Sequence, residues 1–186
     1  MKVNYDTLAN RPHLAILTTE GFQDAEAIMP IGYLVNKHVD ITVIGPEKMR
    51  VKAYNNDIEI VIEKEISEVT VDDFDGLFIP GGKAPAALKK NSKAVEFAKE
   101  FFNSGKTVAA ICHGPQVLAK AGVLDGVTLT GVGKIQGELE KAGANYKDEE
   151  LVVTKNLITS RVPDDLPVFV KALEKALHED SKMPLR

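Results

Sequence analysis

Apolar positions in this chain fall into short unbroken runs separated by stretches with helical spacing. HLAILTT (13–19), VDITVIG (39–45), DGLFIPGG (75–82) and KTVAAIC (106–112) are the runs. They are rich in β-branched residues, and Gly or Pro punctuates several ends, so they predict buried strands. Unbroken runs, rather than alternating ones, suit a parallel sheet covered on both faces. Ala94, Phe97, Ala98, Phe101 and Phe102 recur at helical spacing, with Asn91 or Ser92 as cap and Gly105 past the end. Residues 134–142 predict a second amphipathic helix, stopped by Gly143, and PQVLAKAG (115–122) a third, stopped by Gly122. A C-terminal helix gathers Phe169, Ala172, Leu173, Ala176 and Leu177 on one face, with Asp164 or Asp165 as cap and Pro167 in its first turn. After the first strand, Asp24 caps a short first turn, and the main helix restarts at Pro30. Residues 51–66 alternate and carry charges, as a hairpin or edge insertion does. LVVTKNLITS (151–160) reads as a hairpin around Lys155-Asn156. The order βαβ…βαβα predicts an α/β fold with a doubly wound, mostly parallel sheet sandwiched between helices.

Composition narrows the partners. A chain of 186 residues fits one domain, 1–186, with residues 1–12 as an N-terminal extension. The net charge is −4, with acids and bases interspersed, so no basic stripe points to nucleic acid. The one cysteine cannot form an intramolecular disulfide. The N-terminus lacks the apolar run of a signal peptide, and no segment reaches membrane-span length. The expectation is a soluble, cytoplasmic protein.

That one cysteine lies where a strand gives way to a helix. Ala110-Ile111-Cys112-His113-Gly114 has the small-x-nucleophile-x-small form of a nucleophile elbow, whose turn is too tight for bulky neighbours. Backbone N–H groups at the helix start favour negative charge, which predicts a lowered thiol pKa. The N–H of His113 points into the same space, where it can hold an oxyanion. The His113 side chain, with a pKa near neutrality, suits general acid–base work. Other motifs fall away. Gly131-Val132-Gly133-Lys134 lacks the spacing of a phosphate loop. His13, His38 and His178 are scattered, so no metal site or cofactor is expected.

AICHGPQ, with IPGGKAP before it and SRVPDDLP after it, strongly resembles the ThiJ/PfpI superfamily, from about His13 to about Leu177. The resemblance implies a flavodoxin-like fold of the type also found in class I glutamine amidotransferases. It implies that Glu26, four residues before Pro30, hydrogen-bonds the Cys112 sulfur, and a carboxyl so placed should have a raised pKa. It further implies an oxyanion-binding N–H from Gly82, paired with that of His113. In similar proteins an acidic residue, often from a neighbouring subunit, orients the histidine and follows the proline of PGG-x-x-P. Here that position is Ala86. Amidotransfer is rejected, because Ser160-Arg161-Val162-Pro163-Asp164 holds no late His-x-Glu pair. The resemblance therefore implies a cysteine-dependent stress-protection enzyme acting on reactive carbonyls, their protein adducts or small peptides. Ala86 ranks carbonyl chemistry above proteolysis. The alternative is a redox-sensing or chaperone-like protein that works by oxidation of Cys112. A homo-oligomer, dimer or larger, is expected.

Overall fold

The structure is a computed structural model and describes residues 11–180. The first ten residues, most of the expected N-terminal extension, lie outside that range.

Seven strands form the central sheet, in the order β10-β11-β7-β6-β1-β2-β5. Its core strands are β1 (His13–Leu17), β2 (Asp40–Gly45), β6 (Gly76–Ile79), β7 (Thr107–Ile111) and β11 (Leu157–Ser160). They pair in parallel, and β10 (Val152–Thr154) runs antiparallel at one edge. At the other edge β5 (Lys64–Glu65) follows a hairpin of β3 (Arg50–Lys52) and β4 (Glu59–Val61), the insertion expected from the alternating pattern. Lys155 takes a left-handed φ of 54° in the β10–β11 turn. A small separate pair joins β8 (Thr128–Leu129) and β9 (Asn145–Tyr146).

The unbroken apolar runs are explained by two separate cores. Leu14 and Ile16 of β1, Phe78 of β6 and Ala109 and Ile111 of β7 face α1 (Asp24–Val35) and α6 (Leu166–Asp180). Their neighbours Ala15, Leu17, Leu77, Ile79, Val108 and Ala110 face α3 (Ser92–Asn103), α4 (Pro115–Ala121) and α5 (Gln136–Lys141). The middle positions of β1, β6 and β7 are therefore apolar without alternation, because successive side chains point to opposite faces and both faces are covered. Phe78 and Phe169 tilt against each other at 5.4 Å in the first core.

Several local expectations change. The helix after β1 is continuous from Asp24 to Val35 and passes through Pro30. Packing of Ala27, Pro30 and Leu34 into the interior outweighs the one backbone bond that proline removes. The cap is Gln23, whose Oε1 accepts the Glu26 N–H at 2.6 Å, so Asp24 lies inside the first turn. Asn91, not Ser92, caps α3. Residues 133–135 form a 3-10 turn ahead of α5. Before α6, Pro163–Asp165 is also a 3-10 turn. The Asp165 carboxylate there holds the Arg161 guanidinium and backbone N–H instead of capping the helix.

The chain winds from β1 outward to β2, then returns to lay β6 and β7 on the other side of β1. The direction of winding reverses between β1 and β6. Open α/β sheets bind ligands outside the carboxyl ends of their strands at such a switch point.

Candidate active site

Three loops leave the carboxyl ends of β1, β6 and β7 and meet at this switch point. The β1 loop leads to Glu26, the β6 loop carries Gly81 and Gly82, and the β7 strand ends at Cys112. Cys112 is the first residue beyond β7 and has a left-handed φ of 59°. A non-glycine residue there costs about 1–3 kcal/mol of backbone strain. The surrounding loops hold it: Cys112 N–H donates to Ser160 at 3.1 Å, and its carbonyl accepts from Val132 at 3.0 Å. A side chain at Gly114 would run into the Ile79 carbonyl, which explains the second small residue of the elbow.

Four of the residues singled out in the sequence come together here. Cys112 Sγ lies 3.2 Å from His113 Nδ1. The backbone N–H groups of Gly82 and His113 both approach the sulfur and favour its charged form. Glu26 is fully buried, and its Oε2 accepts the Gly81 N–H at 2.8 Å. The same carboxyl neighbours the thiol, while its Oε1 has no hydrogen-bond partner. Gly82 reaches this place with φ of +87°, in a spot where a side chain would strike the backbone of Gly21 and Gln23.

The electrostatics correct one expectation. Burial, reinforced by the adjacent Glu26 charge, pushes the Cys112 thiol up to about 12. The start of α4 offers little against this. Its first residue is Pro115, which has no N–H, and the N–H groups of Gln116 and Val117 are already bonded to the carbonyls of His113 and Gly114. Burial likewise raises Glu26 to about 7, against the pull of the Gly81 N–H. The two acidic groups cannot both ionise cheaply, so when Glu26 loses its proton the thiol keeps its own. Burial lowers the His113 pKa, and the charges of Lys134 and Lys89 add to that, so the neutral imidazole is favoured.

Glu138 opposes that shift, and the sequence reading missed it. It is the carboxylate acting on His113, held by Lys89 Nζ at 2.8 Å and Gln116 Nε2 at 2.6 Å. Nothing in the spacing announces it, because α5 reaches the elbow only through the fold. Ala86 sits exposed on α2 (Ala84–Leu88) and contributes no charge. Among the described residues there is no cluster of three or more His, Cys, Asp or Glu suited to a metal ion, and no helix long and apolar enough to cross a membrane.

A cysteine at a strained strand-to-helix turn, above a doubly wound parallel sheet, defines the class as a flavodoxin-like α/β protein with a nucleophile elbow. The DJ-1/PfpI family model matches residues 13–176, and the chain belongs to that family. It is 42% identical over 158 residues to protein/nucleic acid deglycase 2 of Escherichia coli, covering 84% of this chain and 92% of that one. It is 40% identical over 158 residues to general stress protein 18 of Bacillus subtilis, with the same coverage of each chain. A two-domain protein from Anabaena variabilis, with DJ-1/ThiJ/PfpI-like and ferritin-like domains, superimposes with a TM-score of 0.87 at 37% identity. That match covers 89% of this chain and 50% of the longer one.

Proposed function

We propose that this protein is a deglycase-like stress-protection enzyme in which Cys112 attacks the carbonyl of an oxo-aldehyde or of its adduct on an amine or thiol. The observation that carries this reading is the approach of His113 Nδ1 and two backbone N–H groups to one sulfur at an elbow. The name of the Escherichia coli relative supports the substrate class, and that of the Bacillus subtilis relative supports the stress role.

The thiol rests protonated, so it must be activated as it reacts. His113 Nδ1, neutral and 3.2 Å away, takes the proton as sulfur bonds to the carbonyl carbon. The carbonyl π pair moves onto oxygen, and the N–H groups of Gly82 and His113 hold that oxyanion. Glu26 retains a proton near neutrality and donates it toward the sulfur, which positions the nucleophile. In an adduct the amine or thiol leaves the former aldehyde carbon with the proton carried by His113, and the sulfur holds that carbon as a hemithioacetal. Its C–H proton moves to the ketone carbon to give a thioester of lactate, and water cleaves that thioester to lactate and the free thiol. Glu138 supplies the negative charge that steadies the imidazolium, the part Ala86 leaves unfilled. For an adduct of methylglyoxal, adduct plus water gives the free amine and lactate. The aldehyde carbon is oxidised to the acid as the ketone carbon is reduced to the alcohol, so no outside oxidant is needed.

Alkylation by iodoacetamide tests this. One equivalent on Cys112 should abolish turnover of a methylglyoxal adduct, and saturating substrate should slow the alkylation. Full modification of Cys112 with turnover intact would sink the reading. A sensor role draws on the same thiol, but peroxide oxidation depends on a standing thiolate. Burial raises the thiol pKa and so disfavours a standing thiolate in the resting protein, whereas carbonyl attack needs the thiolate only in the complex.

A further inference from the structure

The two peptide groups that flank the Cys112 Cα are each held by a hydrogen bond from outside the elbow. The Ile111–Cys112 peptide donates its N–H to the Ser160 carbonyl at 3.1 Å, and the Cys112–His113 peptide accepts the Val132 N–H at 3.0 Å. The first contact fixes φ, at 59°, and the second fixes ψ. A left-handed cysteine persists only while its surroundings over-determine it. The place of the sulfur beside His113 therefore depends on where the Ser160 carbonyl points.

Ser160 is the last residue of β11, and its carbonyl belongs to the peptide group that joins it to Arg161. That group is planar, so its C=O and N–H ends turn together. The N–H end donates to Asp165 Oδ2 at 3.1 Å. The Arg161 side chain closes on the same carboxylate, Nε donating to Oδ2 at 3.0 Å and Nη2 to Oδ1 at 3.1 Å. Its Nη1 reaches outward to Asp148 at 2.9 Å. The local sequence makes this possible: Pro163 begins the 3-10 turn that carries Asp165 back over Arg161. Burial opposes a charge on Asp165, yet hydrogen bonds from the Arg161 side chain and backbone hold its carboxyl below the ordinary value. A peptide that donates to a charged acceptor is polarised, which makes its carbonyl a better acceptor for the Cys112 N–H. Ser160 is fully buried, and its hydroxyl donates to the Glu150 carbonyl at 2.6 Å, so the strand end is tied through its side chain as well.

We propose that Arg161 is a positioning residue for the nucleophile: by locking Asp165 it orients the Ser160–Arg161 peptide group, whose carbonyl sets the left-handed turn of Cys112. Arg161 acts on the sulfur only through that peptide. This deepens the carbonyl reading, and it rests on that reading for the turnover arm of its test.

Arg161→Lys keeps the charge and loses the planar fork. Asp165→Asn removes the charge at the other end of the pair and reads the same peptide should the lysine variant fail to fold. The scalar coupling across the hydrogen bond, between the Cys112 amide nitrogen and the Ser160 carbonyl carbon, reports the contact by NMR. It should be present in the wild type and lost in both variants. Kinetics on a methylglyoxal adduct of N-acetyllysine are run where circular dichroism shows each protein folded. There kcat should fall about tenfold to a hundredfold, the scale of a nucleophile displaced by an ångström or less, with KM unchanged. A role in stability alone would lower the melting temperature and leave the coupling and the kcat per folded molecule as they were; that result would overturn the proposal. So would an equal loss of kcat in Asp148→Asn, because the Asp148 side chain is 77% exposed and does not touch the peptide. A wild type without turnover would instead overturn the carbonyl reading, and the coupling would then decide alone whether Arg161 holds the Cys112 turn.

Discussion

Replacing Glu26 by Gln isolates what it costs to bury an acid beside the thiol. Native Glu26 keeps its proton to about pH 7, whereas in the unfolded chain it ionises near its ordinary value of 4.5. Between those values the native state binds more protons than the unfolded one. Stability therefore falls as pH rises through the window from about 4.5 to about 7. At about 1.4 kcal/mol per unit, the shift amounts to about 3 kcal/mol lost by pH 8. Glutamine has nothing to ionise, and its amide oxygen can still accept the Gly81 N–H. The Cys112 thiol titrates above this window and adds no slope within it. Urea unfolding of both proteins at half-unit steps from pH 5 to pH 8 measures the effect. The wild-type curve should fall relative to that of Glu26→Gln, the gap widening by about 2.5 kcal/mol between pH 5 and pH 8. Parallel curves would refute a buried, protonated Glu26.

Three further predictions follow from the site and the cores. Gly114→Ala should destabilise the fold by about 1–3 kcal/mol, because its Cβ meets the Ile79 backbone carbonyl, which cannot turn aside; thermal unfolding would show it. Glu138→Gln removes the charge that holds the His113 pKa up, so the imidazole pKa should fall further, moving the acid limb of the kcat/KM profile to lower pH; an unmoved limb would dissociate Glu138 from His113. Phe169→Ala should cost about 3–5 kcal/mol by opening a cavity against Phe78, with the methylglyoxal-adduct kcat little changed below the melting transition.

What the chain made legible, and what it did not, divides along physical lines. Strands β1, β6 and β7 could be read because both faces of each are buried, and β2 because its second half is, which leaves an apolar run. The elbow could be read because its sterics act between residues two positions apart. Gln23 as cap was missed because Asp24 is the stronger capping type, and only geometry shows that the chain turns one residue earlier. The break expected at Pro30 did not occur because tertiary packing overrides one lost hydrogen bond. The thiol pKa was read in the wrong direction: a helix start was visible, but burial and the neighbouring Glu26 were not. Gly82 and Glu26 entered through resemblance alone, since a glycine turn and an acid in a first helical turn have ordinary structural reasons to exist. Glu138 had no signal at all, because α5 meets the elbow only through the packing of α4 and α5.

The central claim is that the Cys112 sulfur performs the chemistry. Proton NMR of the products formed from a methylglyoxal adduct of N-acetyllysine tests it most directly, with wild type and Cys112→Ser run side by side. The wild type should release N-acetyllysine and lactate together in equal amounts, and the serine variant should stay at the rate of the protein-free control. Lactate formed at the wild-type rate by Cys112→Ser would contradict it.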